Sequence, residues 1–202
     1  MLPYDFPVES SPGVYLYWIP LGAGGSGFVR LNGRIYEAIS SRMERRAPHD
    51  IYHTAMVVHL PEGRFVVETM WPQPDRDTVV RGVAVEGPVF ARWLSFTRTF
   101  RYEVRCWRDG ILPDADDAVG GPQLISDDVS VVRSVVEQVP KVPAHTWGRR
   151  VPGTDDMWNS NSVVSWLLAR AGVDMSQVSA PRGGRAPGWR SGISLGRVAV
   201  TT

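Results

Sequence analysis

The sequence predicts a single α+β domain in which an antiparallel sheet packs on a central helix. The chain has 202 residues, of which 43% are hydrophobic and 21% are charged, so it can bury one sizeable core. Several short strand-like segments follow one another with turns between them, which favours an antiparallel sheet over alternating strand–helix units. We place the domain at residues 13–202, after a Pro- and Ser-rich arm at residues 1–12.

Segments rich in β-branched and aromatic residues predict the strands. They are residues 13–21, 52–60, 64–70, 78–85 and 100–107. The second and third strands are joined by Pro61-Glu62-Gly63, a turn sequence that predicts a β-hairpin. Clean alternation of polar and apolar residues marks the last strand as half-buried.

Capping residues and apolar spacing predict the helices. A helix capped within residues 126–128 runs to about residue 138. The segment 159–171 begins with Asn and Ser, which are favoured N-cap residues, and ends before Gly172. Residues 34–45 have apolar side chains at helical spacing. The expected irregular loops, which contain Pro and Gly, are residues 141–156 and 180–192.

The composition argues against several classes of function. With 22 basic and 21 acidic residues, the even charge offers no electrostatic case for nucleic acid or an anionic membrane as the main partner. A single cysteine excludes an intrachain disulfide, and the four histidines lack zinc-site spacing, so neither a metal nor a cofactor is expected. We find no secretory leader and no run of about 20 apolar residues, so we expect a cytoplasmic protein without a membrane span.

Two local features have a functional and a structural interpretation. Gly22, Gly24 and Gly27 fit a dinucleotide-binding fingerprint. An Asn-Gly turn follows them and the expected acidic residue is absent, so we favour a flexible loop beside a cleft. Cys106 is a candidate nucleophile, but it lies within an alternating strand. Reactive thiols usually lie at a helix N-terminus or beside a histidine, so a structural cysteine is preferred.

His53, Glu68 and Ser160 form the candidate catalytic set. The hairpin should bring His53 and Glu68 together, and a carboxylate there can orient an imidazole. Ser160 is predicted at a helix N-terminus, where backbone N–H groups and the helix dipole favour a developing anion. Helix capping alone also explains the polar run from Asn159 to Ser162, so the spacing leaves both interpretations open.

These segments resemble the permuted NlpC-type papain-like hydrolases, a superfamily that includes the YiiX-like enzymes and the lecithin:retinol acyltransferase group. HTAMVV, which begins at His53, and EGRFVVE, which begins at Glu62, are similar to its histidine hairpin. NSNSVV, which begins at Asn159, is similar to its N-C-x-x-F-V motif. WNSNSVVSW also resembles a bacterial family of uncharacterised proteins with the motif G-P-N-S-N-T-F-x-x-W. The resemblance covers about residues 50–70 and 155–192.

The resemblance implies a permuted papain-like fold in which Ser160 stands at the position of the nucleophilic cysteine. It implies that Ser160 attacks the substrate, that His53 acts as general base and then acid, and that Glu68 orients His53. Backbone N–H groups at the helix start, together with Asn159 or Asn161, would stabilise the oxyanion.

The function that we expect is hydrolysis or acyl transfer at an amide, ester or thioester bond of a small-molecule, lipid or peptide-like substrate. Because serine stands where cysteine is expected, the alternative is a catalytically inactive binding module on the same fold. Ser162, deeper in the first helical turn, is the second candidate nucleophile. Trp158, Trp189 and Arg185 are candidates for the substrate cleft. The alternative for the two tryptophans is core packing, and the alternative for Arg185 is a solvated loop. An α/β-hydrolase is disfavoured because the chain has no G-x-S-x-G elbow.

Overall fold

The computed structural model describes residues 11–21, 50–72 and 82–198. Within these ranges the strands are β1 (Gly13–Pro20), β2 (Asp50–Leu60), β3 (Gly63–Met70), β4 (Val83–Pro88), β5 (Arg101–Arg108), β6 (Gln123–Ser126) and β7 (Gly184–Arg185). The α-helices are α1 (Val129–Gln138), α2 (Ser160–Arg170) and α3 (Trp189–Val198). Short 3-10 helices occupy Arg92–Phe96, Arg98–Phe100, Ala115–Asp117 and Val139–Lys141.

One sheet with the strand order β4-β5-β3-β2-β1-β6 organises the fold. Every pair along this path is antiparallel, and β7 pairs in parallel with the start of β2. Strands β2 and β3 form the predicted hairpin, with Leu60 opposite Gly63 and Met56 opposite Val67. The predicted α+β class with an antiparallel sheet is therefore confirmed.

Helix α2 is the central helix of the fold. All of its residues except the last, Arg170, are buried. Leu167 of α2 and Met56 of β2 belong to the main core, which lies between the helices and one face of the sheet. A smaller core cluster on the other face of the sheet includes Ile19 and Val57. No helix within the described ranges has both the length and the apolar character needed to cross a bilayer.

Helix α3 corrects the expectation of an irregular loop at residues 180–192. Gly and Pro are abundant in this stretch and indicate a loop, but a helix begins at Trp189, directly after Gly188. A Cβ on Gly192 would overlap the carbonyl oxygen of Ser162. Glycine is therefore needed inside α3 because α3 crosses α2 at close range, which a side chain at that position would prevent.

Other predicted elements shift or fall outside the described residues. Strand β4 starts at Val83, later than the predicted strand at 78–85, whose first residues are not described. The pattern does not predict β6 and β7, since four and two residues are too few to show alternation. The predicted helix at 34–45, the glycine loop and residues 1–10 of the arm lie outside the described ranges.

Candidate active site

The head of helix α2 is closed by a reciprocal cap. Asn159 is the N-cap residue, and its Oδ1 accepts hydrogen bonds from the backbone N–H groups of Asn161 at 3.0 Å and Ser162 at 3.3 Å. In return, the Ser162 hydroxyl oxygen accepts the Asn159 N–H at 3.0 Å. This capping box satisfies donors that the helix itself cannot satisfy. The predicted helix start at Asn159 is confirmed.

Ser162 is held by the surrounding backbone as well as by the cap. Its hydroxyl lies 2.8 Å from the Gly188 carbonyl oxygen and 2.9 Å from that of Met157, and the side chain is fully buried. Gly188 has a φ of +88°, and a Cβ there would lie 2.6 Å from Ser162 Oγ, so the position requires glycine. Because its hydroxyl is already engaged as donor and acceptor, the structure favours Ser160 over Ser162, the alternative candidate for the nucleophile.

Asn161 fastens the helix to strand β2. Its Nδ2 donates to the carbonyl oxygens of Tyr52 and Pro187, both at 2.9 Å. Its Oδ1 accepts from Thr54 Oγ1 at 3.0 Å. With both amide hydrogens engaged, Asn161 has no donor left for an oxyanion. The structure therefore gives Asn161 a structural role in place of its predicted oxyanion role. Asn159 is left as the candidate, because within the described residues its Nδ2 donates a single bond, to Pro187 O at 2.8 Å.

Ser160 differs from the polar residues around it. It is the first residue of α2 and only 6% exposed. Within the described part of the chain, neither its hydroxyl nor its backbone N–H has a hydrogen-bond partner, whereas the hydroxyl of Ser162 has several. Ser160 therefore contributes no hydrogen bond to the cap, and its O–H and N–H both lie at the positive end of the helix dipole.

His53 lies on the strand segment against which the head of α2 packs. Its neighbours Tyr52 and Thr54 are the two β2 residues that bond to Asn161. Burial lowers the pKa of His53 to about 4, so the imidazole is neutral at pH 7. Strand alternation directs the imidazole to the opposite face from Thr54, beside its cross-strand partner Ile19. No hydrogen bond joins His53 to Ser160 in the described structure.

Glu68 does not orient His53. The β2–β3 pairing ends at Met56 and Val67, before the strand reaches His53, and Glu68 instead stands opposite Arg105 of β5. Its Oε2 is buried and has no hydrogen-bond partner among the described residues. Burial raises the pKa of Glu68 to about 7, the carboxylate of Asp114 raises it further, and Arg105 opposes both. Within the described residues no hydrogen bond joins His53 to Glu68, and His53 and Ser160 are likewise not in hydrogen-bond contact.

The predicted cleft residues separate into core and rim. Trp158 is fully buried, and its Nε1 donates to the Tyr102 hydroxyl at 3.1 Å. Trp189 is 9% exposed, with its ring 4.9 Å from that of Trp18. Both tryptophans are core residues and not the predicted cleft walls, because their rings are buried against other core side chains. Arg185 is half-buried on β7, opposite Ile51 of β2, which places it at the rim near His53.

Cys106 and metal ligands offer no alternative centre in the described residues. Burial raises the pKa of the Cys106 thiol to about 11, so the thiolate that would act as a nucleophile is scarce at neutral pH. No group of three or more His, Cys, Asp or Glu side chains within the described ranges is arranged to hold a metal ion.

Three residues of the site framework are missing from the predicted set: Thr54, Pro187 and Gly188. The period of strand β2 places Thr54 on the face opposite His53, so alternation provided a signal for it. Pro187 and Gly188 bond to the cap from a segment 26 residues further along the chain, and no local pattern predicts that contact.

No family model matches the chain, and neither a curated protein nor a solved structure is significantly similar to it. The resemblance to permuted papain-like hydrolases therefore stays a prediction from the short segments around His53 and Asn159.

Proposed function

We propose that this protein is a papain-like hydrolase or acyltransferase in which Ser160 is the nucleophile and His53 is its base. The observation that carries the proposal is a contrast within one helix turn. Within the described residues the side chain of Ser160 has no hydrogen-bond partner, while Ser162 and Asn161 are fully engaged by the fold. The Ser160 Oγ is not one of the fully buried unpaired side-chain atoms, so the described fold leaves its hydroxyl available to a substrate as donor and acceptor.

The proposed reaction proceeds through a covalent acyl-enzyme. Ser160 Oγ bonds to the carbonyl carbon of an amide, ester or thioester as His53 takes the hydroxyl proton. The Ser160 N–H and the second amide hydrogen of Asn159 stabilise the oxyanion. Collapse breaks the bond to the amine, alcohol or thiol, which leaves with the proton from His53. Water, or a second acceptor, then releases the acyl group through the same steps in reverse roles.

The proposal requires the His53 imidazole, which strand alternation places on the sheet face opposite Thr54, to move towards Ser160 when substrate binds. Catalytic hydrogen bonds are often long or absent before substrate binds. Because burial lowers the pKa of His53 to about 4, the rate should rise through about pH 4 and then stay level to neutral pH.

Labelling with a fluorophosphonate tests the nucleophile. We expect the label on Ser160, loss of labelling in Ser160→Ala, and slowing by roughly 10²-fold or more in His53→Gln. Ser165→Ala is the matched control, because Ser165 is a buried serine of the same helix whose hydroxyl donates to Trp189 O at 2.8 Å. Equal labelling of the wild type and Ser160→Ala would refute the assignment.

A cysteine substitution tests the position independently of substrate. In Ser160→Cys the new thiol lies at a helix N-terminus, so we expect a pKa below the ordinary value of about 8.5 and fast alkylation by iodoacetamide at pH 7. Ser165→Cys is the matched buried control, and Cys106 serves as an internal one because its pKa is raised to about 11. Reactivity no higher than in Ser165→Cys would count against a catalytic position at residue 160.

The second candidate is a catalytically inactive binding module. It is favoured because, among the described residues, no carboxylate bonds to His53, since Glu68 stands opposite Arg105 instead, and an imidazolium formed in the reaction would lack that partner. This alternative predicts no labelling of the wild-type serine, together with a thiol in Ser160→Cys whose reactivity does not change in His53→Gln.

A further inference from the structure

The connection between β4 and β5 presents aromatic side chains to water. Phe90, Trp93 and Phe96 are 59%, 74% and 77% exposed. Trp93 and Phe96 lie three residues apart in the 3-10 helix Arg92–Phe96, where side chains at that spacing eclipse one another. They therefore form one ridge. We call residues 89–100 the aromatic loop.

Hydrogen bonds hold the aromatic loop in shape, although neither of its 3-10 helices has a buried residue. The Val89 N–H donates to the Phe100 carbonyl at 2.8 Å and closes the loop at its base. The Phe90 N–H donates to the Trp147 carbonyl at 3.1 Å, and Arg149 Nε donates to the Phe90 carbonyl at 2.6 Å. An ordered loop that keeps several large apolar side chains exposed marks an interaction surface.

The charge around the ridge is basic. Between Gly87 and Tyr102 the chain contains three arginines and no acidic residue. Arg92 and Arg98 are exposed beside the aromatic side chains, and Arg101 pairs with Glu86 at 3.3 Å at the base of the loop. The whole chain has a net charge of only +1, so this local character is not visible in the overall composition.

We propose that the aromatic loop docks on the surface of an anionic phospholipid bilayer. Trp and Phe side chains insert at the boundary between headgroups and acyl chains, and arginine binds the phosphates above it. The three exposed rings offer on the order of 400 Å² of surface. That is roughly half of the 800 Å² that each partner contributes to a stable protein interface. The surface therefore suits a bilayer better than a second copy of the chain, and the proposal is independent of the proposed catalytic function.

Sedimentation with vesicles tests the proposal. We expect the full chain to bind vesicles of phosphatidylcholine with 30% phosphatidylserine, and to bind pure phosphatidylcholine far more weakly. Trp93→Ala/Phe96→Ala should lower the affinity by at least about tenfold. Arg92→Gln/Arg98→Gln should lower it by a similar factor and flatten its dependence on salt.

Matched controls distinguish docking through the aromatic loop from nonspecific hydrophobic adsorption to vesicles. Ile111→Ala/Leu124→Ala removes exposed apolar side chains elsewhere, 77% and 52% exposed, and should leave binding unchanged. Circular dichroism of each variant verifies folding. Failure of the wild type to bind anionic vesicles would overturn the proposal, as would equal loss in the two apolar variants. A concentration-dependent dimer that Trp93→Ala/Phe96→Ala abolishes, without vesicle binding, would instead assign the ridge to a second copy and refute lipid docking.

Discussion

Alanine substitution should destabilise the protein at Ser162 and leave its stability almost unchanged at Ser160, although the two serines lie two residues apart. Ser162→Ala removes the acceptor of the Asn159 N–H and the hydroxyl that donates to the Gly188 carbonyl. Leaving a buried polar group unpaired costs about 1–3 kcal/mol, and losing a cap costs about 1 kcal/mol. The Gly188 carbonyl keeps a bond from Ser191 Oγ at 3.2 Å. We therefore expect a loss of about 2–3 kcal/mol.

Ser160→Ala should change the free energy of unfolding by less than about 0.5 kcal/mol, because the removed hydroxyl has no partner in the described structure. Urea unfolding followed by tryptophan fluorescence measures both variants, and equal m-values would show that only stability has changed. A loss in Ser160→Ala as large as that in Ser162→Ala would refute the reasoning. It would also remove the contrast on which the proposed nucleophile rests.

Two further predictions concern the contacts around Ser160. Asn161→Ala leaves the Tyr52 carbonyl and the Thr54 hydroxyl unpaired and should cost about 2–5 kcal/mol in the same urea titration. Thr54→Val should cost less stability in the Asn161→Ala variant than in the wild type, because its partner is already missing. Burial lowers the pKa of His53 from 6.5 to about 4, so stability should be full above pH 6.5 and fall as pH decreases towards 4, by up to about 2 kcal/mol at pH 5. His53→Gln should remove that slope between pH 4 and 7, and an unchanged slope would contradict this origin.

The parts of the fold that the sequence predicts well are those governed by local chemistry. The cap at Asn159 is visible because asparagine and serine satisfy free N–H groups at a helix start. The β2–β3 hairpin is visible because the turn at Pro61-Glu62-Gly63 joins two β-branched segments. Gly172, with a φ of +88°, ends the helix as predicted. Each of these features is decided by residues within a few positions of one another.

The predictions that the structure corrects depend on distances that local patterns do not contain. The hairpin register brings Glu68 towards His53 only if the pairing continues, and it stops at Met56 and Val67. Trp158 is next to the cap in sequence, but its indole bonds to Tyr102 of β5 inside the core. Helix α3 is not predicted because its glycines, which allow close packing on α2, are typical of loops. In each case the deciding partner is remote in the chain.

The run Asn159-Ser160-Asn161-Ser162 combines two roles that composition cannot separate. Its side chains differ in their partners: Asn161 bonds to Tyr52, more than one hundred residues earlier in the chain, and Ser162 bonds to Gly188. Capping and anchoring therefore account for three of the four residues. They do not account for Ser160, which is 6% exposed at a helix N-terminus and whose hydroxyl has no hydrogen-bond partner in the described part of the chain. A structural explanation of the run thus narrows the functional question to a single hydroxyl, where substitution can answer it.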